Sequence, residues 1–116
     1  MNIQIENIMA KNFKEIIFNE TYESFKDFYS NNNEIIYQGI IELFQEFINT
    51  KKKNLTLFVR GQINEIVWDT EFNFTREESY ILTRDLLPYF ENIEDFETCL
   101  LIKNTFESLN NKKKGV

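Results

Sequence analysis

Acidic side chains recur in close sets along this chain: Asp69 with Glu71, Glu77 with Glu78, and Glu94 and Asp95 with Glu97. Two carboxylates held about 5 to 10 Å apart can serve as general acid and base, or hold a divalent cation. Asp69 and Glu71 are two residues apart, so on a strand they share a face and converge. None of the sets has the Asp-x-Asp-x-Asp-Gly spacing of a calcium loop. Capping and the helix dipole already account for acids at a helix start, which covers Glu77, Glu78, Glu94, Asp95 and Glu97. On the exposed side of a sheet, Asp69 and Glu71 read best as a docking stripe for Arg or Lys.

Other chemistries find little material. There is no histidine and Cys99 is the single cysteine, which excludes an intramolecular disulfide and a Cys/His zinc cluster. A Cys99 thiolate has no His to activate it, and at helical spacing from Phe96 and Leu100 it reads as a small core residue. Gly39, Gly61 and Gly115 are isolated, so no glycine-rich phosphate loop exists. No catalytic residue, cofactor or metal is expected. A small carboxylate enzyme built on Asp69 is the alternative.

The 116 residues suit one domain, expected over residues 1–111 with a frayed basic tail at 112–116. The chain is net −6, and its two Lys runs, Lys51 to Lys53 and Lys112 to Lys114, conceal a more acidic body. Without those six lysines it carries 19 acids against seven bases. Such a surface repels phosphate, which disfavours nucleic acid as a direct ligand and favours a partner protein with a basic surface. RNA binding by Lys51–Lys53 would have to overcome that repulsion. No apolar run spans a bilayer and the N-terminus lacks the apolar block of a secretion signal, so the default location is cytoplasmic. Abundant Phe, Ile, Asn, Lys and Tyr suggest AT-rich coding DNA, as in a low-GC bacterium or its phage or plasmid.

The elements that must position these residues follow from periodicity. Phe13, Ile16, Ile17, Phe25, Phe28 and Tyr29 predict a helix over residues 11–29, interrupted near Asn19 and Thr21 and stopped by Asn31-Asn32-Asn33. Asn33 suits an N-cap for a second helix carrying Ile36, Ile40, Leu43, Phe44, Phe47 and Ile48 and ending near Thr50. Residues 55–75 predict a β-hairpin turning at Gly61-Gln62, so that Arg60 opposes Ile63, Leu57 opposes Ile66 and Leu55 opposes Trp68. Leu55, Leu57, Val59, Ile66, Trp68, Phe72 and Phe74 then form one apolar face, with Ile66 and Trp68 in the core. Phe58 projects to the opposite face across from Glu65, an aromatic among acids that suits an interface anchor. Tyr80 and Tyr89 are weaker anchors of the same kind. Thr70 to Phe74 are expected to lack a partner in the hairpin, unless Asn2 to Glu6 supply a third strand there. Thr75 and Glu78 form a capping box, Pro88 is expected to kink or end the helix it opens, and Asn92 to Asp95 cap a last helix marked by Phe96, Cys99, Leu100, Phe106 and Leu109.

Within residues 90–110, Asp95, Phe96, Glu97, Cys99, Ile102 and Lys103 follow an acidic turn, then Asp-Phe-Glu, a small residue, an aliphatic and a base. This stretch resembles the UVR helical hairpin, with Cys99 in place of the preferred Ala and Asn104 in place of an Asp. The resemblance covers about a fifth of the chain and implies a protein-docking element.

The expected fold is α+β, in the order α-α-β-β-α-α, with helices on one face of a small antiparallel sheet. The expected function is non-enzymatic protein binding through Phe58, Glu65, Asp69, Glu71, Glu94 and Asp95. A concrete form is a phage or mobile-element inhibitor of a nucleic-acid-binding host or CRISPR-type defence protein, its acids standing in for phosphates. The alternative binding protein is a bacterial adaptor or regulator docking through its C-terminal helical hairpin.

Overall fold

Alternation along FKEIIFNETY buries Lys14, Ile16, Phe18 and Tyr22 on one side and turns Glu15 and Ile17 to the other, the period of a strand. A computed structural model describes the backbone of residues 5–9 and 13–114 and the side chains of residues 14–110. Strands β1 (Ile5–Met9), β2 (Phe13–Tyr22), β3 (Asn54–Ile63) and β4 (Ile66–Thr75) form one sheet in that spatial order. The outer pairs are antiparallel, whereas β2 and β3 run parallel, joined by the 25-residue crossover helix α1 (Phe25–Asn49). Beyond β4 come a 3₁₀ turn (Arg76–Ser79), a π-helical stretch (Leu82–Leu86), α2 (Leu87–Asn92) and α3 (Phe96–Lys114). Helix α1 packs on β2 and β3, and α3 packs on α1.

The fold is therefore α+β with its helices on one sheet face, but the sheet is mixed rather than antiparallel and the order is β-β-α-β-β-α-α. Two apparent helical segments cause the difference. Phe13, Ile16 and Ile17 belong to β2, while Phe25, Phe28 and Tyr29 open α1, whose N-cap is Ser24, accepting from the Asp27 N–H at 3.1 Å. The three asparagines do not stop that helix. Asn31 and Asn32 donate their side-chain amides to the carbonyls of Asp27 and Phe28 at 2.7 and 2.8 Å, one turn back. Bonded in this way, and with Phe28, Asn32 and Ile36 all buried on one stripe, they are carried through by packing. Asn33 consequently caps nothing.

The hairpin forms with a different turn. Asn64 and Glu65 take positive φ (51° and 69°), the two central positions of a type I′ turn, and Gly61 lies inside β3 opposite Trp68. Arg60 pairs with Asp69, Leu57 with Phe72 and Leu55 with Phe74, so β3 matches β4 along its whole length and Thr70 to Phe74 are all paired. The slip from the expected register is six residues. Because it is even, every side chain keeps its face. The strand near the N-terminus pairs with β2 at the opposite edge, as Ile5 opposite Phe18 shows; residues 2 to 4 of the expected strand lie outside the described residues.

In the C-terminal half, Glu78 accepts from the Thr75 N–H at 2.8 Å, its half of the expected capping box. Pro88 neither ends nor interrupts the helical run. The π-helical stretch before it, with the Leu87 N–H bonding back to the Leu82 carbonyl, accommodates the missing donor and leads into α2. Helix α3 buries Thr98, Cys99, Ile102, Thr105 and Leu109, and continues to Lys114 where a frayed tail is expected. Phe96 and Leu100, expected beside Cys99 in the core, are 68% and 59% exposed. Arg76, which carries no sequence signal, ties the layers together: it donates to the carbonyls of Thr50 and Lys52 at 2.7 and 3.2 Å and lies over the Phe47 ring. This cation satisfies carbonyls just beyond the C-terminus of α1, where the dipole is negative.

Candidate protein-docking face

The helices cover one side of the sheet, and among the described residues no element packs on the other. On that open side, register sets side chains in rows. Glu15 of β2, Phe58 of β3 and Glu71 of β4 stand abreast; Ile17, Arg60 and Asp69 form the row on one side of them, and Thr56 and Asn73 the row on the other. Phe58 is half-buried between two acids, across from Glu71 rather than Glu65. Arg60 and Asp69 approach to 3.7 Å with both side chains well exposed, a pair worth little in net stability. The Thr56 hydroxyl donates to the Asn73 amide oxygen at 2.6 Å. Glu15, Phe58, Val59, Arg60 and Asp69 line an open cleft of about 360 Å³.

The six expected site residues thus separate into two groups. Phe58, Asp69 and Glu71 come together on the open face, and Glu65 stands at the hairpin tip beside it. Glu94 and Asp95 lie in the turn between α2 and α3, in the helical layer on the other side of the sheet. Both have local structural work. Glu94 (φ 59°) and Asp95 close a Schellman motif, their N–H groups donating to the carbonyls of Glu91 and Phe90 at 3.1 and 2.9 Å. The Asp95 carboxylate then caps α3, accepting from the N–H and hydroxyl of Thr98 at 3.2 and 2.7 Å. Beside the exposed acids Glu91, Glu94 and Glu97, this region also exposes apolar side chains: Ile93, Phe96 and Leu100.

Sequence reasoning missed Glu15, whose place on the open face was hidden when β2 was read as a helix. It also placed Ile66 and Trp68 in the core. Trp68 is half-buried, its ring 4.9 Å from that of Phe28 and 5.1 Å from that of Phe25, but Ile66 is 71% exposed because the hairpin tip outruns the helical layer. The apolar row of β4 is core at Phe74 and surface at Ile66. Tyr80 is exposed with Arg84 over its ring, and Tyr89 packs edge-on against Tyr37 and Phe90. Burial pushes the Cys99 thiol above its ordinary range, with Glu91 and Asp95 adding to the rise, the reverse of what a nucleophile needs. Among the described residues, no three acidic, His or Cys side chains gather as a metal set, and no helix is long and apolar enough to cross a membrane.

Comparison with family models, curated proteins and solved structures finds no match. The functional reading therefore rests on the geometry itself.

Glu65 allows the face to be probed with a gain in stability. The second position of a type I′ turn favours glycine, and a side chain there costs about 1 kcal/mol. Glu65→Gly is expected to raise the urea midpoint accordingly without changing the slope, and to weaken any docking in which the carboxylate takes part.

Proposed function

We propose that this protein is a non-enzymatic binding module that receives a basic partner protein on the open face of its sheet. The observation that carries this reading is Phe58, half-buried between Glu15 and Glu71 on a sheet face without helical cover. An aromatic ring among carboxylates offers an apolar anchor together with complementary charge for Lys or Arg. In its concrete form the partner is a nucleic-acid-binding host or defence protein, and the acids occupy the groove in place of phosphates.

The test is a pull-down from lysate of a low-GC bacterium after nuclease treatment, comparing two charge reversals. A partner held by the wild type should be released as salt rises. It should be lost with Asp69→Lys/Glu71→Lys and kept with Glu94→Lys/Asp95→Lys. The opposite pattern would overturn the open-face reading in favour of an adaptor docking through its C-terminal helices, the second reading, which the exposed Ile93, Phe96 and Leu100 favour.

A further inference from the structure

Strand β4 is an edge, and along its ten residues its only guards against strand addition are the carboxylates of Asp69 and Glu71. Ten consecutive pairs with β3 leave no bulge, and IVWDTEFNFT contains no proline, lysine or glycine. The opposite edge, β1, has five residues. Among the described residues no element runs along the outer side of β4. The two-residue turn makes Ile63 and Ile66 a hydrogen-bonded pair, so Ile66, Trp68, Thr70, Phe72 and Phe74 bond back to β3. The backbone N–H and C=O groups of Val67, Asp69, Glu71 and Asn73 therefore point away from the sheet.

The two sides of this edge differ in chemistry. On the open side stand Asp69 and Glu71. On the helical side, Ile66 and Phe25 are mostly exposed and flank the half-buried Trp68. A strand added here would place alternate residues against carboxylates and against an apolar ledge. A second copy of the chain fits poorly: antiparallel pairing of β4 with itself about residue 69, 70 or 71 sets Asp69 against Asp69, Asp69 against Glu71, or Glu71 against Glu71.

We infer that β4 binds an extended segment of the partner in which basic and apolar residues alternate, adding it to the sheet as a fifth strand. The inference rests on the open-face reading and specifies its partner. The bases meet Asp69 and Glu71, the apolar residues cover Phe25, Ile66 and Trp68, and the outward backbone groups of β4 supply the main-chain bonds.

The probe is the peptide Val-Lys-Val-Lys-Val-Lys-Val, with its residues regrouped into one lysine block and one valine block as control. Amide hydrogen exchange of the intact protein is followed by NMR. The alternating peptide should bind at least about tenfold tighter than the block peptide, a margin of roughly 1.4 kcal/mol. It should also slow exchange at Val67, Asp69, Glu71 and Asn73 by a similar factor. Val67→Pro, which deletes one outward N–H and leaves every acid in place, should weaken it. If both peptides bind equally and shift the signals of Asp69 and Glu71 without slowing those amides, the added strand is wrong and the acidic face stands. If neither binds, both readings fail.

Discussion

Phe28→Ala is expected to remove about 4 kcal/mol of folding stability, the range for truncating a fully buried phenylalanine. The residue is 0% exposed and sits where three elements meet. Around it lie the rings of Phe18 at 5.0 Å, Tyr22 at 5.2 Å, Tyr29 at 5.2 Å and Trp68 at 4.9 Å, each nearly perpendicular to it. Edge-to-face pairs add to the area buried, and few small side-chain shifts could refill a benzyl-sized hole among four rings. A domain of this size holds roughly 5 to 15 kcal/mol in all, so the variant would lose a large share of it. Urea unfolding should show the midpoint falling with the slope unchanged. Phe25→Ala is the control: 53% exposed, its ring touches Trp68 from outside, and its loss should cost under about 1 kcal/mol. Equal costs for the two would mean that Phe28 is not the keystone of this cluster. The cluster also bears on function, because it positions Trp68 along the edge where an added strand would lie.

Gly61 belongs to the same cluster and shows why a correct face can come from an incorrect turn. Glycine before glutamine signals a hairpin loop, yet here it is a packing residue. A Cβ at Gly61 would stand 3.0 Å from the Phe28 ring and 3.3 Å from the Trp68 ring, so its absence lets those rings close over the strand. The turn falls at Asn64-Glu65, which lacks the glycine that favours type I′. Since period-two alternation constrains face but not register, Phe58, Asp69 and Glu71 were legible on one side from the sequence alone. The pairing of Phe58 with Glu71 was not. Helix α1 was legible from Ile36 onward because its stripe is strong. Its opening residues, Phe25 to Tyr29, were read as helical but as the end of a separate segment, because the local propensity of the asparagines signals a stop that yields to the burial of Phe28 and Asn32. The crossover linking β2 to β3 could not be seen once β2 was taken for helix, and Glu15 was lost with it.

Lys14 and Glu42 carry the second large effect. Lys14 is 4% exposed, on the helix-facing side of β2, and its ammonium donates to the Glu42 carboxylate of α1. The layers approach closely here: a Cβ at Gly39 would stand 2.8 Å from Ile16 Cδ1 and 3.7 Å from Lys14 Cε. Glu42→Leu would leave the buried Lys14 ammonium without its partner, and because the Glu42 side chain is itself 47% exposed and water can reach the site, the cost is on the order of 2 kcal/mol. Lys14→Met keeps the length of the side chain and removes the charge, and should cost no more than about 1 kcal/mol. The double variant should then recover most of what Glu42→Leu loses, which urea unfolding of the four proteins would show as a strong coupling. A Lys14→Met variant less stable than Glu42→Leu would instead mean that attraction within the pair outweighs the cost of burying it. An aliphatic residue at position 14 would be the simpler choice for stability, but the pair adds to the burial of Ile16, Phe18 and Tyr22 in fixing which way β2 faces. A one-residue slip of that strand would turn Lys14 onto the open side next to Phe58 and bring Glu15 inward. Together with Ile16, Phe18 and Tyr22, the ion pair thus holds a base away from the open face and keeps Glu15 on it, maintaining the acidic row that a basic strand would meet.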